Sequence, residues 1–255
     1  MIPNPIRKVL SSMRAHRVRA LLMGGQACVF YGAAEFSRDI DFAILADGRN
    51  LVRLRRALSE LQAEPIAVPP FQLKHLRRGH ALHFRCQHPE APRMRVDVMS
   101  KMRGVESFAK LWRRRTTLTL PDRTPCELLS LPDLVQAKKT QRDKDWPMVR
   151  RLVEAHYFEH RQRPKKAQID FWLRELRTSE LLTELAASYP RHTRRLTTSR
   201  PILAAALAGK TQAVESGLAV EERQERQRDR AHWLPLRDEL EAMRRDRLVS
   251  GSRKG

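Results

Sequence analysis

The stretch GGQACVFYGAAEFSRDIDFAI, residues 24–44, decides the fold, because it sets a glycine pair ahead of Asp39-Ile40-Asp41 with thirteen residues between them. Just before it, Arg19 to Met23 is a short apolar run that reads as a strand ending at Gly24-Gly25, after which Gln26 to Tyr31 forms about two turns of helix. Asp39 to Leu45 then reads as a second strand. Alternation along a strand sends Asp39 and Asp41 to one face while Ile40 and Phe42 enter the core. Two carboxylates in one small site repel each other. A hard divalent cation, Mg2+ or Mn2+, resolves that repulsion by taking both as oxygen ligands.

Arg95-Val96-Asp97-Val98-Met99 repeats the pattern with a single carboxylate in a β-branched strand. Laid beside the first strand, it brings Asp97 within about 5 Å of the pair. Three carboxylates can hold two metal ions, with Asp97, at the ion nearest the nucleophile, as candidate general base. Gly24 and Gly25 allow a phosphate to approach the backbone at the start of the short helix. Ser37 and Arg38 offer a hydroxyl and a guanidinium to the same phosphates. The set suits a nucleoside triphosphate.

Working outward, Asn4 to His16 carries Ile6, Val9, Leu10 and Met13 at helical spacing, and Asn50 to Leu61 reads as a helix. Pro65, Pro69 and Pro70 mark a loop, while Ala81 to Cys86 and Thr116 to Leu120 complete the strands. The expectation is an α/β (α+β) catalytic domain over 1–125, a mixed sheet with flanking helices. From Leu131 onward helical patterns take over, in Leu131 to Gln141, Trp146 to Tyr157 and Gln168 to Tyr189. Val214 to Leu248 is a charged helical stretch interrupted by Pro235, and a helical domain is expected over 126–248. That stretch packs on the domain or serves as an oligomerisation arm, which makes a homo-oligomer one expectation. Residues 249–255 read as a disordered tail.

The 255 residues carry 50 Lys and Arg against 29 Asp and Glu, a net charge of +21. Such an excess points to a polyanionic partner, nucleic acid above all, although an anionic membrane surface or an acidic protein fits the same number. Aromatic residues make up only 6%, too few for a base-stacking platform, so backbone and shape contacts are expected. No apolar run reaches the roughly 18 residues a membrane span needs, and the N-terminus lacks the pattern of a secretory signal. A cytoplasmic protein without membrane insertion follows. Cys28, Cys86 and Cys126 are odd in number and widely spaced, so they read as reduced thiols.

Other motifs carry less. Asp143-Lys144-Asp145 has a lysine between its acids and a helical context, which argues against a metal pair there. His80, His83, Cys86 and His88 match no standard zinc spacing and suit an ordinary strand. Arg113-Arg114-Arg115 and the group Arg191, Arg194 and Arg195 are solvated faces, of which some contact nucleic acid.

The glycine pair, Asp39-x-Asp41 and the later lone Asp97 on another strand resemble the DNA polymerase β-like nucleotidyltransferase superfamily, especially its minimal and abortive-infection toxin-type members. Leu134 to Asp145, with Lys138 and Arg142-Asp143-Lys144-Asp145, is similar to a helical motif of that group. By this likeness Lys138 and Lys144 bind phosphate. Where relatives often carry a further acidic residue, this chain has Pro147 and Met148. The resemblance spans Leu21 to Tyr157. It implies transfer of a nucleoside monophosphate from a triphosphate to a hydroxyl, most readily a nucleic-acid 3′ end, with tRNA as first choice. It also implies a toxin or phage-defence component with a cognate antitoxin or effector protein. Protein nucleotidylation and template-independent oligonucleotide synthesis are the alternative reactions. The alternative of another class is a nucleic-acid-binding or partner-binding module whose transferase site has lapsed.

Overall fold

The computed structural model describes residues 4–120 and 123–252. The first of its two compact units takes residues 4–30, 34–137 and 232–252. Its elements are α1 (Asn4–Ala15), β1 (Ala20–Met23), α2 (Gly24–Phe30), β2 (Asp39–Ile44), α3 (Gly48–Glu60), β3 (Glu64–Pro65), α4 (Leu73–Arg78), β4 (Leu82–Arg85), β5 (Arg95–Met99), α5 (Phe108–Arg113), β6 (Thr116–Thr119), β7 (Pro125–Leu128) and α6 (Leu131–Lys138). The strands form one mixed seven-stranded sheet in the order β3-β4-β5-β2-β1-β7-β6. The mixed α/β class read from the sequence is the class observed.

The central strand, β2, pairs antiparallel with β1 and parallel with β5. The parallel pairing needs a long crossover, which α3, β3, α4 and β4 supply. Ile40, Phe42, Val96 and Val98 are buried, and each such side chain gains about 1.5–3 kcal/mol on leaving water. That burial sets the register, because a slip of one residue would turn the intervening carboxylates into the core. On α1 the buried stripe is Ile6, Val9, Leu10 and Met13. Asp47 caps α3, its carboxylate accepting the Asn50 N–H at 2.6 Å.

β7 is four residues long and opens on a proline, so it carries little strand signal. It nevertheless pairs parallel with β1 and antiparallel with β6, burying Cys126 and Leu128. The expected domain boundary at 125/126 therefore cuts a strand of the sheet, and the first unit runs on to residue 137.

The second unit takes Tyr31–Ala33 and Lys138–Ala231. It contains α7 (Asp145–His160), α8 (Lys166–Glu175), α9 (Ser179–Ser188), α10 (Pro190–Leu196), α11 (Ile202–Leu207) and the first part of α12 (Thr211–Ser252). The single helix expected over Gln168 to Tyr189 is broken between α8 and α9. The buried Arg200 donates to the carbonyls of Leu173 and Leu176 at 2.8 and 3.0 Å, which satisfies the end of α8. A partner that distant in sequence leaves no local signal.

α12 continues through Pro235, an exposed position where the carbonyl of Ala231, left without its helical donor, can meet water. It also continues through Ser252. The tail expected to be disordered over 249–255 is thus helical as far as Ser252, and residues 253–255 lie outside the described residues. The later part of α12 belongs to the first unit, where Leu236 is buried and Glu239 accepts from Arg78 and bonds His80, both at 2.8 Å. Among the described residues no helix is long and apolar enough to cross a membrane.

Candidate metal centre

Parallel pairing of β2 with β5 sets Asp39 opposite Arg95 and Asp41 opposite Asp97. Because the pleat sends alternate residues to one face, all four side chains stand together on the face away from Ile40, Phe42, Val96 and Val98. Asp39, Asp41 and Asp97 each offer a carboxylate oxygen, and these atoms lie within 4.8 Å of one another. The three residues named by the sequence therefore form one cluster. Its donors are all hard, anionic oxygens, the set that Mg2+ and Mn2+ prefer. The residues fit such an ion.

Two residues missed by sequence reasoning hold Asp97. Arg95 donates Nε–H to Asp97 Oδ1 at 2.8 Å, and His83 Nδ1 lies 2.9 Å from the same oxygen. Burial pushes the Asp97 carboxyl up, but the bonds from His83 and Arg95 and their charges outweigh it, so the group sits below the usual aspartate range. The Arg95 guanidinium is pushed up in turn, chiefly by its bond to Asp97, against the effect of burial and with help from the charges of Asp39 and Asp41. His83 Nδ1 also lies 3.1 Å from Arg95 Nη2. One ring nitrogen cannot serve both neighbours: it donates to Asp97 when protonated and accepts from Arg95 when bare. Arg95 was findable, since strand alternation puts residues 95 and 97 on one face. His83 was not, because its place opposite Asp97 depends on the antiparallel β4–β5 register.

The glycine pair serves the carboxylates directly. α2 begins at Gly24 itself, rather than after the pair as expected. Gly24 has φ +68°, and a Cβ there would lie 1.8 Å from Asp41 Oδ2. A Cβ on Gly25 would lie 2.6 Å from Ser37 Oγ. Ser37 Oγ is in turn 3.0 Å from Oδ1 of Asp39. Ser37 thus orients a cluster carboxylate, while the neighbouring Arg38 is exposed and lies 5.9 Å over the Phe36 ring.

The two lysines belong to the second unit, and they differ. Lys138 is buried and donates to Asp145 Oδ1 at 3.0 Å; Asp145 is 1% exposed at its side chain and also accepts from Thr140 and Arg142. The Lys138 ammonium is committed to that carboxylate, not presented to solvent as a phosphate-binding lysine would be. Lys144 is exposed at the start of α7. In the Asp143-Lys144-Asp145 motif, Asp143 bonds Arg226 while Asp145 faces the interior, so the two acids diverge. His80 bonds Glu239, and burial pushes the Cys86 thiol up to about 11.

No protein-family model matches the chain, and no curated protein matches it.

Proposed function

We propose that this chain is a metal-dependent nucleotidyltransferase of the DNA polymerase β-like kind, acting from the Asp39, Asp41 and Asp97 cluster. The observation that supports the reading most is the parallel β2–β5 register, which sets Asp97 beside Asp41 with Asp39 on the same face. A divalent ion held there supplies positive charge against the triphosphate oxygens and the departing pyrophosphate. The chain's own residues do the rest. Asp39 is oriented by Ser37, Asp41 is seated against the bare face of Gly24, and Asp97 is kept ionised by Arg95 and His83. The acceptor hydroxyl oxygen forms a bond to the α-phosphorus in line with the bond that breaks to pyrophosphate, and the hydroxyl proton leaves toward the carboxylate side.

The acceptor is a nucleic-acid 3′ end, on the strength of the +21 net charge, with tRNA the first choice by the resemblance to toxin-type nucleotidyltransferases. A cytoplasmic role as a toxin or phage-defence component accords with the resemblance. Incubation with each labelled triphosphate, magnesium and total RNA tests the reading: label passes to RNA with wild-type protein and not with Asp39→Ala/Asp41→Ala. Label in the double variant overturns the site. Label appearing instead in protein or in free oligonucleotide changes the acceptor. RNA binding without any transfer leaves a binding module.

A further inference from the structure

The end of the sheet where β1 begins and β2 ends gathers arginines from three segments. Arg17 and Arg19 lie in the turn after α1, Arg49 and Arg53 on α3, and Arg77 near the end of α4. Hydrogen bonds from side chains to backbone carbonyls join these segments. Arg53 Nη1 donates to the Arg17 carbonyl at 3.4 Å, Arg77 Nε to the Ala46 carbonyl at 3.4 Å, and Asn50 Nδ2 to the carbonyls of Arg19 and Leu45 at 3.0 and 2.9 Å. None of the five arginines is paired with an acid among the described residues. The neighbouring acids are engaged elsewhere: Asp47 caps α3, Glu60 binds Lys8 and His16, and Glu127 binds Arg115. Arg150, Arg195 and Arg228 of the second unit each have an acidic partner. Five guanidinium groups without an acidic partner among the described residues are therefore gathered at one end of the sheet. Concentrating like charge costs self-repulsion that a polyanion relieves.

Arg19 connects this end to the metal centre. Leu21 and Met23 of β1 stand opposite Ala43 and Asp41 of β2, and the ladder continues where Leu45 N–H donates to the Arg19 carbonyl at 3.1 Å. Opposed residues share a face, so Arg19 lies on the face that carries Asp41. Four strand residues separate them, about 13 Å. The Trp112 ring beside Arg19 is already covered by the guanidinium groups of Arg19 and Arg115, 4.2 and 4.4 Å from the ring centre, and is stacked with Phe108. The surface thus offers charge and not a stacking platform, which fits a phosphate backbone.

We propose that Arg17, Arg19, Arg49, Arg53 and Arg77 form the docking face for the phosphate backbone of an RNA whose end reaches the carboxylates. The inference rests on the nucleic-acid acceptor proposed above and assigns the surface that holds it. The test measures binding without transfer, in the Asp39→Ala/Asp41→Ala background, so its result stands whether or not the chain transfers nucleotides. A fluorescein-labelled transfer RNA is titrated with Arg49→Gln/Arg53→Gln/Arg77→Gln and with Arg150→Gln/Arg195→Gln/Arg228→Gln, which carry the same net charge. The first variant is expected to bind at least about tenfold more weakly, with its salt slope shallower by about 2–3, and the second to match the parent. Replacement of the three face arginines by lysine is expected to retain most of the affinity. Equal losses in the two glutamine variants would reduce the effect to net charge and overturn the proposal. Unchanged RNA binding with lost binding of polyglutamate would assign the face to an acidic protein instead, and also overturn it.

Discussion

Asp41 Oδ2 occupies the space that a Cβ on Gly24 would need, 1.8 Å from where that carbon would sit. Gly24 also has φ +68°, so two independent constraints exclude a side chain there. Gly32 separates them: its φ is +73°, but a Cβ would meet nothing within 4 Å. Gly32→Ala is expected to cost about 1 kcal/mol from backbone strain alone. Gly24→Ala is expected to cost about 2–3 kcal/mol and to weaken Mn2+ binding, because Asp41 must move. Chemical denaturation and metal titration of the two variants check this; equal costs would mean that the Asp41 contact is unimportant.

Three carboxylates converging within 4.8 Å repel one another until a cation arrives. Added Mg2+ or Mn2+ is expected to raise the melting temperature of the wild-type protein, with a stabilisation of about 2.7 kcal/mol at a hundredfold excess over Kd. Asp39→Asn/Asp41→Asn is expected to be at least as stable as wild type in chelator and to gain nothing from the ions. Differential scanning calorimetry with and without metal reads both effects. Stabilisation of the double variant by Mg2+ would show that the ion binds elsewhere.

Arg95 brings a fixed positive charge to Asp97 and lies opposite Asp39 in the ladder. It therefore competes with any cation for the same oxygens. Arg95→Met is expected to bind Mn2+ several-fold more tightly than wild type in the absence of nucleotide, as measured by calorimetric titration. Weaker binding would mean that Arg95 positions Asp97 and does not compete with the ion.

Lys138 and Asp145 form a buried pair, with side-chain exposures of 9% and 1%. Removing one partner of such a pair leaves an uncompensated charge, so Lys138→Met is expected to cost about 3 kcal/mol of stability. Burial raises the Asp145 carboxyl, but the charge of Lys138, the Thr140 hydroxyl and Arg142 overcome it, leaving the group below its ordinary value of 3.8. A carboxyl depressed on folding contributes stability that is complete above that value and lost as pH falls below it. In Lys138→Met that depression is relieved, so the acid-induced loss carried by Asp145 is expected to shrink and the stability gap to wild type to narrow as pH falls, as followed by circular dichroism melts across the acid range. An unchanged acid limb would contradict the assignment of Lys138 to Asp145.

The core of the fold and the centre of the site were legible locally. Alternation in Asp39-Ile40-Asp41-Phe42 and in Arg95-Val96-Asp97-Val98 fixes which side chains face water and which are buried, because a strand has a period of two wherever it lies. The amphipathic α1 and α3 were legible for the corresponding reason, a repeat near 3.6 residues. β7 was missed because four residues beginning with Pro125 carry too short a pattern. The break between α8 and α9 was missed because Arg200 caps α8 from well down the chain.

Local sequence, then, determined that this protein has two carboxylates on one strand face, a third on another strand, and a glycine pair upstream. Only the tertiary structure decided that Asp97 stands beside Asp41, that His83 and Arg95 hold it, that Gly24 makes room for Asp41, and that Lys138 is bound to Asp145. Side-chain direction follows from the local backbone, whereas the neighbours of a side chain depend on strand order and register, which the burial of the whole sheet selects.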